Sequence, residues 1–246
     1  MMNFAKKTGI AALLLLCTAM FLSAWERSFD IPGKGTLERE VEVERVDEYD
    51  KNGRLVTSYY AGNIEEYYKY DRKGRLILFS NSNEYEKNYE YDKKGNLIHT
   101  KDVEGYEEWF SYDENGNLLV EKNINNLEKH YFYDEAGNLS KYELHDLEGD
   151  AIIEREWYYY DENNRKIHME PSTGCAIDYT YNADGKLIGE RYSDGTRIEY
   201  VYSDEGLLLY SITITSDDEY ENFYVYEFWG NGKIKQITIC GCLSFG

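Results

Sequence analysis

The sequence predicts an all-β protein, a long antiparallel meander of repeated β-hairpins forming one twisted or spiralling sheet. Three observations carry that reading. Near-copies of Tyr-Asp-x-x-Gly-x-Leu begin at Tyr49, Tyr70, Tyr91, Tyr112, Tyr133, Tyr160, Tyr181 and Tyr202, spaced by 21 residues except for the 27 between Tyr133 and Tyr160. A degenerate ninth copy starts at Phe228. The composition is rich in tyrosine and poor in proline, 26 against 2, and tyrosine suits a half-buried strand that keeps its hydroxyl in water. Finally, the motif glycine is replaced once, by Asn164, and asparagine is the other residue that tolerates positive φ.

Read in order, the chain divides into an export signal (1–24), a lead-in strand or cap (25–46), the hairpin repeats (47–239) and a C-terminal tail (240–246). Lys6 and Lys7 precede an uncharged run from Gly9 to Leu22, and small residues follow. That is the order of a secretory signal peptide. Ala19 and Ala24 are the two candidate residues before the cut. About 14 uncharged residues are too few for a membrane span, which needs about 20, so no span is expected after removal of the signal. Leu16 precedes Cys17 and apolar residues continue beyond it, which argues against lipid attachment at that cysteine. The expected location is therefore secreted, periplasmic or cell-surface.

Each repeat translates into geometry. Aspartate opens a type I turn because its carboxylate accepts from backbone amides two residues on. Glycine three residues later takes the left-handed conformation that closes the hairpin. The turn-forming pairs are Asp50 and Gly53, Asp71 and Gly74, Asp92 and Gly95, Asp113 and Gly116, and Asp134 and Gly137. In the regular 21-residue units a second, outer turn falls at position +14 from the motif tyrosine: Asn63, Glu84, Gly105, Asn126, Gly174 and Gly195. All but Glu84 tolerate positive φ. Each unit is thus two strands of about six residues, and the whole chain about 18 to 20 strands. Motif tyrosine and the leucine at +6 face each other across the inner turn, as in Tyr49/Leu55 and Tyr91/Leu97. The aromatic two residues earlier extends that face. In the 27-residue unit Asp146-Leu-Glu-Gly149 supplies the outer turn; in the 26-residue unit the turn falls near Ser216 to Glu219.

The formal net charge is −20, which repels a phosphate backbone and excludes nucleic acid as a partner. An outer-membrane barrel needs longer strands with one apolar face, whereas both faces here carry Glu and Lys. No hydrolase, zinc-protease or phosphate-loop motif occurs, so no catalytic residue, cofactor or metal is expected. Acidic turns such as Asp113 to Asn117 are too short for calcium ligation. His99 and His168 share one repeat position on separate hairpins, and His130 and His145 have no partner at ligand spacing. Cys175, Cys240 and Cys242 could form one bridge in an oxidising compartment, with Cys175 pairing to one of the other two.

Tyr-Lys-Tyr-Asp-Arg-Lys-Gly-Arg-Leu (68–76), Tyr-Glu-Tyr-Asp-Lys-Lys-Gly-Asn-Leu (89–97) and Tyr-Phe-Tyr-Asp-Glu-Ala-Gly-Asn-Leu (131–139) resemble the YD, or Rhs, repeat over residues 47 to 237. The resemblance implies hairpin sheets that spiral, as in large members that enclose a toxin domain or form extracellular adhesive modules contacting glycans. The chain is far shorter than those members, and no toxin domain is expected after the repeats. The segments starting at Trp109 and Trp157 are also similar to choline- or glucan-binding cell-wall repeats. Together these readings imply a non-catalytic binding or adhesive module at the cell envelope, with a glycan or a protein as ligand. The candidate aromatic surface is Trp109, Tyr131, Trp157, Tyr158 and Tyr159, since aromatic faces stack on sugar rings. The alternative is a structural protein that pairs through its sheet edges, or a fragment-like relative of Rhs toxin shells.

Overall fold

The computed structural model describes residues 25–244. The expected export signal, with Cys17, Ala19 and Ala24, lies outside the described residues. Among the described residues there are nineteen strands and no helix, and the fold is the expected all-β antiparallel meander. The strands begin with β1 (Trp25–Ile31), β2 (Gly35–Tyr49), β3 (Leu55–Tyr60), β4 (Ile64–Tyr70), β5 (Leu76–Asn81) and β6 (Glu86–Tyr91). They continue with β7 (Leu97–Asp102), β8 (Glu107–Tyr112), β9 (Leu118–Asn123), β10 (Leu127–Tyr133), β11 (Leu139–Asp146) and β12 (Ala151–Tyr160). The last are β13 (Lys166–Pro171), β14 (Ile177–Tyr181), β15 (Leu187–Tyr192), β16 (Arg197–Tyr202), β17 (Leu208–Ile214), β18 (Glu219–Phe228) and β19 (Ile234–Ser244). The tail expected from residue 240 is strand as far as Ser244.

The inner turn accounts for every fixed letter of the motif. The Asp50 amide donates to the Arg54 carbonyl, the Gly53 amide donates to the Asp50 carbonyl, and Gly53 sits at φ 83°. One Asp50 carboxylate oxygen accepts from the amides of Asn52 and Arg54, and the other accepts from the Arg54 guanidinium at 2.7 Å. Asp71 and Asp161 repeat this with Arg75 and Arg165. At Asp92, Asp113 and Asp134 the side-chain amides of Asn96, Asn117 and Asn138 take the place of the guanidinium. Arginine or asparagine at +5 is therefore the partner of the second carboxylate oxygen. Burial works against the Asp50 charge, but Arg54 and the two amides outweigh it and hold the carboxyl down to about 2. Asn164 takes the glycine position at φ 58°.

The motif tyrosine pairs with the residue at +6 as expected, in Tyr49↔Leu55, Tyr91↔Leu97, Tyr112↔Leu118, Tyr133↔Leu139 and Tyr181↔Leu187. Beyond that pair these inner hairpins skip one residue, so that Glu90 faces His99 and Phe132 faces Lys141. A β-bulge at +7 does this, and simple alternation does not reveal it. The tyrosine hydroxyl also ties successive hairpins together. Tyr91 donates to the Leu76 carbonyl, Tyr112 to Leu97, Tyr133 to Leu118, Tyr160 to Leu139 and Tyr181 to Lys166, all at 2.8–2.9 Å. In the degenerate unit Phe228 has no hydroxyl, and Tyr226 supplies the bond to Leu208.

At Gly95, φ is 104° and no neighbouring atom lies within 4 Å of an added Cβ. The demand there is purely conformational. Gly95→Val is expected to destabilise the protein by over about 1 kcal/mol, seen as a lower denaturant midpoint with unchanged slope. An unchanged midpoint would remove the left-handed assignment of this turn.

The outer turns follow the same chemistry with two differences. Glu84, the one residue at +14 that does not suit positive φ, nevertheless adopts 61°. In the long β11–β12 hairpin the left-handed residue is Asp150, at 47°, rather than Gly149. The loop is thus one residue longer than expected, and a further bulge lies at Leu144/His145.

The described residues form two compact units. One comprises 25–68, 81–83 and 200–244; the other comprises 69–80 and 84–199. In the first, β19 pairs with both β18 and β2, and β2 pairs with β3. Its core holds Ile31, Val41, Val43, Val46, Tyr210, Ile212, Phe223 and Cys240, all buried. The lead-in segment is a hairpin of β1 with the first half of β2, and it packs on β17 and β18. Phe29 stacks on Phe223 with ring centroids 4.0 Å apart, and Arg39 reaches Glu221 at 2.5 Å.

The second unit is a run of consecutive hairpins with no comparable core. Its motif face carries the half-buried tyrosines with Lys and Glu between them, and its other face is more exposed. Among the described residues the cysteines form no bridge. Cys175, Cys240 and Cys242 are free thiols, and the Cys242 thiol is pushed up to about 11 by burial and by the Glu221 carboxylate.

Candidate functional site

Strand alternation divides the candidate aromatic residues between two faces. Tyr131 and Tyr158 share the motif face with Tyr133 and Tyr160, whereas Trp157 and Tyr159 point the other way. Trp109 lies on that second face too, four strands from β12, a separation of about 19 Å at 4.8 Å per strand. There it stacks on His99 with centroids 5.6 Å apart, and Tyr159 packs on His168 at 5.5 Å. Trp157 stands across from Lys141 and Glu170. The five residues therefore do not form one surface. Tyr159 is the most open of them, at 51% exposure.

The second face also brings two histidines together. His130 and His145 are neighbours across β10 and β11, with ring centroids 4.3 Å apart. His130 contacts Glu128 and His145 contacts Glu143, each at 3.1 Å. Glu143 is buried and is also held by Lys141 and Arg155.

On the motif face the long β11–β12 hairpin builds something the regular units do not. Counting back from the Tyr133↔Leu139 pair across the bulge sets Tyr131 against Tyr142, and Tyr142 against Glu156. Leu144 and Glu154 form the next pair. The result is a groove of roughly 280 Å³ lined by Lys129, Tyr131, Tyr142, Glu154, Glu156 and Tyr158. The Tyr131 and Tyr142 rings are tilted, with centroids 5.8 Å apart. Lys129 pairs with Glu121 at 2.6 Å, and the Tyr131 hydroxyl donates to the same carboxylate at 3.1 Å. The Tyr158 hydroxyl donates to Glu156.

The electrostatics keep these phenols neutral. Burial raises the Tyr131 hydroxyl, and the Glu121 charge adds to it. Burial followed by the charges of Glu154 and Glu156 pushes Tyr142 up to about 12. Burial and the bond to Glu156 raise Tyr158. The groove thus offers three aromatic rings, phenols that stay protonated, two of them already donating to Glu121 and Glu156, and carboxylate acceptors. Tyr142, Glu154, Glu156 and Lys129 are missed by a search for motif aromatics, because they belong to the inserted hairpin or lie between motif positions.

Of three larger hollows among the described residues, the one lined by Ala176, Asp178, Arg191, Tyr192, Ser193 and Gly195 holds a single aromatic ring, and the remaining two also lack this convergence. One is lined by Glu26, Arg27, Ser28, Glu38, Arg39 and Glu40, with no aromatic ring. The other opens beside the turns at Asp92 and Asp113, whose polar groups are already used within the turns.

The model of the teneurin YD-shell family matches residues 38–177. Among solved structures, a Photorhabdus luminescens Tc holotoxin pore is similar at 17% identity and TM-score 0.39, covering 74% of this chain and 9% of that one. A TcdB2-TccC3 complex is similar at 14% identity and TM-score 0.40, covering 83% and 13%. A porin-like protein from Bacteroides uniformis is similar at 10% identity and TM-score 0.47, covering 82% and 96%. The chain thus spans only a small part of the two toxin chains. No curated protein matches.

Proposed function

This chain belongs to the teneurin YD-shell family over residues 38–177, and from that premise we propose that it is an exported, non-catalytic module that binds carbohydrate on its tyrosine face. The groove of Lys129, Tyr131, Tyr142, Glu154, Glu156 and Tyr158 carries the proposal. Sugar rings have apolar faces that pack on aromatic rings, and their hydroxyls both donate and accept. Three phenols with two to three carboxylates meet both needs. The net charge of −20 disfavours acidic glycans, so the ligand is a neutral one. Export rests on the order of Lys6, Lys7 and the apolar run to Leu22.

The test is a glycan array with the mature chain, repeated with Tyr142→Ala and Tyr158→Ala. Each substitution is expected to weaken binding by about tenfold or more, the scale of losing one buried aromatic side chain. No hydrolysis of the bound glycan is expected. An array without a ligand, or binding that both variants retain, would refute the assignment.

A further inference from the structure

The outer turns of the second unit share one position that joins neighbouring hairpins. Its backbone amide donates to a carbonyl of the preceding hairpin: Val103 to Glu86, Ile124 to Glu107 and Ser172 to Arg155. Where this residue is serine it makes a second tie. Ser172 Oγ accepts from the Arg155 amide and Ser193 Oγ from the Ala176 amide, at 2.9 and 3.1 Å. Ser82 does the same for Glu65 within the other unit.

In three consecutive hairpins this serine gives way to an apolar residue. Val103, Ile124 and Leu147 occupy the first position of the β7–β8, β9–β10 and β11–β12 turns, and a hydrocarbon side chain cannot accept the second bond. All three are exposed, Val103 at 56%, and the long hairpin adds Ile152 and Ile153 beside its tip, the latter 50% exposed. Single exposed apolar residues on a surface mean little. Five on adjacent tips, with serine in the flanking turns, line one edge of this unit as an apolar ridge. At two strands per hairpin its tips span about 20 Å.

The residues between these apolar side chains are acidic or neutral. Glu104, Glu148 and Asp150 are exposed beside the ridge, and the three turns contain no lysine or arginine. A second copy of this chain would bring the same charge, and an anionic membrane would be repelled in the same way. We propose that this ridge is a docking site for a basic amphipathic protein segment, one that sets apolar side chains on the tips and lysine or arginine against Glu104, Glu148 and Asp150. This surface is independent of the tyrosine groove.

The test uses the full mature chain and a model peptide of alternating leucine and lysine blocks that forms an amphipathic helix. A peptide of the same charge with serine for leucine is the control. The protein variant is Val103→Ser, Ile124→Ser and Leu147→Ser together, which leaves net charge unchanged and installs the residue type of the flanking turns. Strand content by circular dichroism should match the parent. The leucine-lysine peptide is expected to bind the parent and to bind the variant about tenfold more weakly or worse, as when interface anchors are removed. Equal binding to parent and variant, or equal binding of both peptides, would overturn the proposal. So would sedimentation of the parent with phosphatidylcholine vesicles in place of peptide binding, since that outcome makes the ridge a membrane contact.

Discussion

Phe223→Ala should lower the unfolding free energy by about 3–5 kcal/mol, the range for truncating a fully buried phenylalanine. Phe223 is the best-packed aromatic residue of the described core. It has 0% exposure, stacks on Phe29 at 4.0 Å and contacts the Tyr210 ring at 5.3 Å. Cys240 stands opposite it on β19 and Tyr210 opposite on β17. The loss should fall at the upper end because the cavity would be lined on three sides by strands locked in a hydrogen-bonded ladder, which relax poorly. The measurement is urea unfolding followed by far-ultraviolet circular dichroism. The same truncation at Phe132, which is 39% exposed, should change stability by less than about 1 kcal/mol. Equal effects at the two positions would show that the core lies elsewhere.

Much of this architecture was legible because each repeat closes on itself through local chemistry. The Asp and Gly of the inner turn, Asn164 as the substitute for glycine and the Tyr/Leu pair all act within seven residues. The bulge at +7 was not legible. It leaves the motif spacing unchanged and alters only which residue faces which, so His99 and not Ile98 stands opposite Glu90. That offset also explains the groove, since Tyr142 reaches Tyr131 only when the bulge at Ser140 is counted. The tip of the long hairpin was displaced for a similar reason. Asp150 rather than Gly149 turns left-handed, whereas the bulge at Ser140 is what sets His145 against Glu128 and beside His130.

Alternation divides the candidate aromatic residues between two faces. Tyr158 and Tyr159 are adjacent in sequence and therefore cannot serve one face of a strand. The buried core was the least legible part. Leu37, Val41 and Val43 mark an apolar strand, but their partners Tyr210 and Phe223 are far along the chain, and no local pattern encodes such a contact.

The same contact between distant segments places a charge inside the first unit, and its loss should be the second-largest effect. Glu221 is 3% exposed and holds the Arg39 guanidinium at 2.5 Å and the Tyr210 hydroxyl at 2.7 Å. Breaking a fully buried ion pair costs about 3–5 kcal/mol. Arg39 retains about a third of its exposure and can turn to water once released, so Glu221→Ala should cost less, about 2–4 kcal/mol. Part of that comes from the hydrogen bond that the Tyr210 hydroxyl gives to Glu221, which the substitution removes.

Acid should reproduce part of the effect. Burial works to raise the Glu221 carboxyl, but Arg39 and Tyr210 outweigh it, so its pKa in the folded protein lies below the ordinary 4.5. A carboxyl depressed by folding stabilises the protein fully above its unfolded pKa, and that stabilisation is lost as pH falls through the folded value. The gap in urea stability between parent and Glu221→Ala should therefore be constant above about pH 5 and shrink on acidification. The inner-turn aspartates, also held below their ordinary range, destabilise both proteins alike and cancel in the difference. A gap that stayed constant into strong acid would mean that the carboxylate charge contributes nothing and that Glu221 acts only by filling space between Arg39 and Tyr210.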